Sequence, residues 1–315
     1  MHAIDGRLFV PDSDPPYNGL GLVEKGTEGY VFVSSADGAF PPPRMPGHRP
    51  PAAPNLSDPA GAGGAAVLPR AYHDIDVIKF RGGLFASTGS VPPTERAWHG
   101  PSPGALHRAN VDGSRWLYEV DYPFPYKDGV WRLTFMVRFR DRLYAGIQDY
   151  DHREPNDYVV IEPPATDPAP AALTHEQLRA VRVTGTGAAG TLRWWVDSAA
   201  SPPRLYWLAW DDGTTVIRFT TDGDAWRTLD MPAGAGRPSD ITRFRDAVVV
   251  LTEHGLWKVE GDGLASTPIA KVEGKPSPFE VSDLFCAAPL AVFRNELYAG
   301  GQRGGTLYKL ASIPP

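Results

Sequence analysis

One phrase recurs along this chain at intervals of 43 to 76 residues, and no other feature constrains its fold as tightly. It consists of an apolar residue, a short polar turn, and then Leu or Val followed by an aromatic residue or Val. It stands as Ile4-Asp5-Gly6-Arg7-Leu8-Phe9, Phe80-Arg81-Gly82-Gly83-Leu84-Phe85 and Phe139-Arg140-Asp141-Arg142-Leu143-Tyr144. It returns as Phe244-Arg245-Asp246-Ala247-Val248-Val249 and Phe293-Arg294-Asn295-Glu296-Leu297-Tyr298, and a copy with a stretched turn ends at Pro203-Arg204-Leu205-Tyr206. Alternating apolar runs flank each turn, as in Leu133-Thr134-Phe135-Met136-Val137 before and Leu143-Tyr144-Ala145-Gly146-Ile147 after. Period-2 alternation around Gly, Asp or Asn predicts a strand, a tight turn and a second strand.

A second phrase follows each hairpin. A Gly opens a β-branched and aromatic run that ends in Asp-Gly, which supplies the positive φ of a tight turn. The pairs are Gly29 with Asp37-Gly38, Gly104 with Asp112-Gly113, Gly213 with Asp222-Gly223 and Gly255 with Asp262-Gly263. A fourth run comes next, such as Trp116-Leu117-Tyr118-Glu119-Val120. Four antiparallel strands repeated six times predict an all-β chain, a six-bladed β-propeller of four-stranded antiparallel blades. Such a sheet buries both faces only by stacking on its neighbours. The expected blades are 1–68, 70–126, 128–186, 188–233, 235–275 and 278–315. Two packed β-sandwiches are the competing architecture. Thr174-His175-Glu176-Gln177 reads as a capping box for one helical turn. The last blade ends at its third strand, so it either has three strands or is completed by residues upstream of this sequence.

Composition agrees and excludes other classes. The 33 Gly and 33 Pro break any long helix, and 42% hydrophobic residues is too many for a disordered chain. No apolar run approaches membrane-spanning length. A net charge of −6 with scattered Lys and Arg argues against a nucleic-acid partner. Cys286 is alone, so no intrachain disulfide forms. The N-terminus lacks the pattern of a signal peptide, which points to the cytoplasm for the chain as given and to secretion if a leader has been removed. Residues 41–69 are rich in Pro, Gly and Ala and read as an extended insertion between the first two blades.

Asp112-Gly113-Ser114-Arg115-Trp116 and Asp222-Gly223-Asp224-Ala225-Trp226 resemble the Asp-box hairpins of the sialidase-like, or BNR, β-propeller superfamily. Thr220 and Thr221 stand where that family has Ser or Thr, while Gly and Trp each come one residue early. Asp boxes lie on the rim, so the resemblance implies architecture and no activity. The Arg-Ile-Pro phrase of sialidases is missing, and none of their catalytic roles is carried over.

Function concentrates in long loops on a rigid scaffold. Connections between second and third strands are long in the first three blades, over 11–29, 90–104 and 148–157, and short in the others. They hold Tyr17, Trp98, His99, Asp149, Asp151, His152 and Arg153, with Arg132 and Arg303 near the same end. Five of the eight histidines, His2, His73, His99, His152 and His254, are expected on that face. His73-Asp74, Asp151-His152 and Glu253-His254 each place a carboxylate beside an imidazole, a pairing that orients the ring for metal binding or raises its basicity.

Three functions follow. The first is recognition of a carbohydrate or other small polar ligand at the loop-rich mouth by Tyr17, Trp98, His99, Arg132, Asp149, Arg153 and Arg303. The second is a hydrolase or lyase, with His73, His152 and Asp151 as catalytic groups and a divalent metal on His73, His99, His152 and His254. The third is a scaffold for a protein partner. The bland reading of these histidines is that they are solvated polar residues, and no HxH or HxxxH spacing opposes it. Trp194, Trp195, Trp207 and Trp210 read as packing between blades.

Overall fold

The computed structural model describes residues 2–11, 28–40, 60–69, 71–90, 104–109, 116–121, 131–149, 158–161, 178–181, 188–211, 214–272, 276–281, 289–301 and 305–310. Among these the chain is all β, with antiparallel strand pairing and no helix. It divides into two compact units, Met1–Arg182 and Val183–Pro315.

The first unit holds three antiparallel meanders. In chain order they are β1 (His2–Ile4), β2 (Arg7–Pro11), β3 (Glu28–Val33) and β4 (Gly64–Pro69); β5 (Ala71–Phe80), β6 (Gly83–Ser90), β7 (Gly104–Ala109) and β8 (Trp116–Asp121); and β9 (Trp131–Phe139), β10 (Arg142–Asp149), β11 (Tyr158–Ile161) and β12 (Leu178–Val181). The second unit holds β13 (Ala188–Asp197), β14 (Arg204–Asp211), β15 (Thr214–Thr220) and β16 (Arg227–Thr228), paired in that order. There follow β17 (Pro238–Phe244), β18 (Ala247–Thr252) and β19 (Gly255–Glu260), whose outer partner is split into β20 (Gly263–Leu264) and β21 (Ala270–Lys271). The last sheet is β22 (Leu290–Phe293), β23 (Glu296–Gly300) and β24 (Leu307–Leu310). It has three strands among the described residues, and the sequence too ends this blade at its third strand.

The recurring phrase is the first hairpin of each meander. Its register joins Ile4 to Arg7, Phe80 to Gly83, Phe139 to Arg142, Phe244 to Ala247 and Phe293 to Glu296. Two-residue turns of this kind need positive φ, normally supplied by Gly or Asn. Here Arg81, Arg140, Arg245 and Arg294 take it, at 45°, 53°, 54° and 48°. Each guanidinium stacks on the preceding Phe ring, 5.0 to 5.8 Å from its centroid. A cation–π contact worth about 0.5–1 kcal/mol offsets much of the left-handed backbone cost of about 1–2 kcal/mol.

Each apolar cluster draws on consecutive meanders of one unit. Phe9, Val31 and Leu68 pack with Val77, Ala86 and Trp116, and Phe85 and Leu106 pack with Leu133, Leu143 and Val159. In the second unit Tyr206, Leu208 and Phe219 meet Ile241 and Val250, while Val249 and Leu256 meet Leu290 and Leu297. Sheets thus bury both faces by stacking, which is why the strands are short and apolar on both sides. Trp194 stacks on Trp207 at 5.5 Å, within its own sheet, so this pair packs across adjacent strands. Residues 41–59 and 174–177 lie outside the described residues, but Gly64–Pro69, within the Pro-rich stretch, form β4. Their run Ala65-Ala66-Val67-Leu68 is apolar enough to close the first sheet.

The turn after β15 is built on Asp222. Its carboxylate accepts from the amides of Asp224 and Ala225, at 2.9 and 2.8 Å, and from the Thr220 hydroxyl at 2.9 Å. These bonds hold its pKa down at about 2. A carboxylate depressed from 3.8 gives stability that is full above pH 3.8 and is lost as pH falls through about 2. Asp222→Ala should therefore cost about 1 kcal/mol at pH 7, after discounting for its exposure. Urea titrations of the two proteins at pH 7 and pH 2 check this: the gap should close at the lower pH.

Candidate functional site

Register brings three of the expected site residues to one end of the sheets β5–β8 and β9–β12. His73 on β5 lies opposite Gly89 on β6, and Gly89 lies opposite Gly104 on β7. The half-buried Arg132 side chain crosses Gly89, since a Cβ there would stand 3.0 Å from Arg132 Cγ. Asp149 lies opposite Trp131, next to Arg132 on β9, and the buried Gln148 lies opposite Arg132 itself. The approach of the two sheets is close because Gly104 has no side chain: a Cβ would meet Leu133 N at 2.5 Å and Arg132 C at 2.8 Å. This end carries a guanidinium with its fork of donors beside strand positions bearing an imidazole and a carboxylate. A guanidinium offers donors that can hold hydroxyl or carboxylate groups.

His254 lies in the second unit, in the turn between β18 and β19. Its Nδ1 donates to the Gly234 carbonyl at 2.7 Å, which leaves Nε2 as the acceptor of the neutral ring. The expected orienting pair with Glu253 does not form. Glu253 instead accepts from Arg237 N and Arg237 Nε, both at 2.8 Å, and Arg237 also reaches Glu280 at 3.3 Å. A guanidinium offers two parallel donors and is the stronger partner. Burial raises the Glu253 carboxyl, but the bonds and charge of Arg237 outweigh it, and its pKa lies below the ordinary value.

Tyr17, Trp98, His99, Asp151, His152, Arg153, Arg303 and Cys286 lie outside the described residues. Among the described residues no three His, Cys, Asp or Glu side chains gather as a metal site. The proposed ligands His99 and His152 are not among those residues.

Two residues that sequence reasoning passed over organise the neighbouring sheets. Asp76 and Asp240 are 2% and 0% exposed, each four positions before the Phe that opens a recurring turn. Asp76 accepts from its neighbour Val77 N at 3.0 Å and from Met136 N on β9 at 2.7 Å, and pairs with His2 on β1. Asp240 accepts from Ile241 N at 2.8 Å and from Leu290 N on β22 at 2.6 Å, and pairs with Arg193 on β13. Each carboxylate therefore ties three consecutive meanders of one unit together. Burial pushes the Asp240 carboxyl up to about 6, against the pull of Arg193 and both amides. His2, expected as a site histidine, is held by Asp76. The signal was the shared frame of Asp76-Val77-Ile78-Lys79-Phe80-Arg81 and Asp240-Ile241-Thr242-Arg243-Phe244-Arg245.

No protein-family model matches the chain, and no curated protein matches it. Among solved structures, it is similar to a virginiamycin B lyase from Staphylococcus aureus, with a TM-score of 0.46 and 12% identity over 98% of this chain and 88% of that one. It is also similar to Zg3597, a family 117 glycoside hydrolase of the marine bacterium Zobellia galactanivorans, with a TM-score of 0.29 and 12% identity over 72% of this chain and 70% of that one.

Proposed function

We propose that this chain is a six-bladed β-propeller that binds a small polar ligand, a carbohydrate or a comparable hydroxylated acid, at the end of the sheets marked by His73, Arg132 and Asp149. The observation that carries this reading is the Arg132 side chain laid across Gly89, where the register also places His73. The connections leaving β6 and β10 at this end bear Trp98, His99, Asp151, His152 and Arg153, which supply stacking and hydrogen-bonding groups in the same reading. Arg132 would grip a carboxylate or paired hydroxyls, and its loss removes charge-assisted bonds worth about 1.5–3 kcal/mol.

A thermal-shift panel of neutral and acidic sugars tests this. At least one sugar should raise the melting temperature, and Arg132→Ala should weaken its binding by roughly tenfold or more. No stabilisation by any sugar would overturn the reading. Metal analysis with and without His152→Ala runs beside it. A stoichiometric divalent metal that the substitution removes would replace the binding function with a metal-dependent hydrolase or lyase on the same face.

A further inference from the structure

The second unit contains an apolar cleft that the proposed polar site does not use. It lies between β19 with its outer strand β21 and the last sheet, β22–β24, and has a volume of about 220 Å³. Leu251, Leu256, Phe279, Leu290, Leu297 and Tyr308 are among the residues of its wall. The cause is local. β21 has only two residues, Ala270 and Lys271, so it covers little of the facing sheet. β24 is the last strand of its sheet among the described residues, and it leaves Leu307 and Tyr308 66% and 40% exposed. Apolar wall and exposed apolar rim are thus continuous, the arrangement that marks ligand sites.

The polar groups at the lip decide the ligand's charge. Tyr298 donates to Glu296 at 2.6 Å, and Lys309 pairs with the same carboxylate at 2.5 Å. That trio satisfies itself. Lys271 also lines the cleft, is exposed, and forms no ion pair among the described residues. Among the described residues, the charge left over at the opening is therefore positive. We infer that this cleft binds a small amphipathic acid, its alkyl or aryl body inside and its carboxylate on Lys271. An apolar cavity of about 150 Å³ accommodates benzene, so by proportion this cleft takes a body of up to about nine carbons.

Octanoate titrated into the intact protein by calorimetry tests the assignment, with octylamine and octanol as comparators. The expected result is one octanoate per chain, with octylamine about fivefold to tenfold weaker. Lys271→Gln, an exposed change, should weaken octanoate about threefold to fivefold and leave octanol unchanged. Ala270→Leu, which projects bulk into the cleft, should weaken both by roughly tenfold. Melting temperatures of both variants near wild type show that the fold persists. No octanoate binding at millimolar concentration overturns the inference. So does octylamine binding as tightly as octanoate, or indifference to Lys271→Gln. Octanoate binding that survives Ala270→Leu overturns it too, by placing the molecule on the exposed edge of β24.

Discussion

Replacing Asp240 with alanine is expected to destabilise the chain by about 3–5 kcal/mol, the range for removing one partner of a buried charged pair. Urea unfolding at pH 7 reads it as a lowered midpoint. The size follows from what the carboxylate serves. Leu290 N and Ile241 N, at 2.6 and 2.8 Å, lose their acceptor together. Arg193, with 31% of its side chain exposed, can turn to water, but the amides cannot. Each buried donor left without a partner costs about 1–3 kcal/mol. Asp76→Ala is expected to cost about 2–4 kcal/mol by the same reasoning, because Met136 N and Val77 N are stranded while the half-exposed His2 is resolvated. A loss below about 1 kcal/mol at both positions would mean the carboxylates do not join the sheets.

Asp240 adds a pH signature. Its folded pKa of about 6 lies above the ordinary 3.8, so the folded chain takes up the proton first as the pH falls. Wild type then gains stability relative to Asp240→Ala, and the gap between them widens by about 1 kcal/mol from pH 7 to pH 5. Asp222 has the opposite sign, since its pKa is depressed and its contribution fades in acid. Measuring Asp240→Ala from about pH 7 to 5 and Asp222→Ala from about pH 4 to 2 separates a desolvated carboxylate from one held by donors.

The hairpins were legible because their determinants are local. Alternation and turn residues within a dozen positions specify a two-strand unit, and the arginines at positive φ kept the phrase recognisable where Gly would be usual. Long-range pairing was not legible. Asp76 and Asp240 look like single polar residues in apolar strands, and their partners on other sheets stand 47 to 74 residues away. Only the shared frame around the two copies betrays them. Adjacency misled at Glu253-His254: the imidazole Nδ1 bonds the Gly234 carbonyl, and Arg237, delivered by the pairing of β17 with β18, takes the carboxylate. Composition misled at Gly64–Pro69, where a short apolar run at the end of a proline-rich stretch makes a strand. The apolar cleft was invisible because it arises from an outer strand of only two residues, a length no periodicity reports.

Gly104→Ala tests how closely fold and site are joined, and is expected to cost about 3 kcal/mol. A methyl at this position meets Leu133 N at 2.5 Å, Arg132 C at 2.8 Å and Arg132 Cα at 3.0 Å. All three are backbone atoms of β9, so no side chain can swing aside to relieve the overlap. Either β7 or β9 must move, and β9 carries Arg132. The substitution should therefore weaken sugar binding as well as stability, although it touches no proposed ligand group. Gly83→Ala is the matched control. Its nearest neighbour would be the edge of the Phe85 ring at 3.3 Å, which can shift, so the cost should stay below about 1 kcal/mol. Glycine opens the third strand at Gly255 as well, where a Cβ would lie 2.4 Å from the Ala270 carbonyl. At Gly104 and Gly255 the recurring Gly is thus a requirement for close approach between stretches of backbone, and the requirement is steric, not conformational. A Gly104→Ala protein as stable as the control would show that β7 and β9 do not approach so closely, and would remove the contact that positions Arg132.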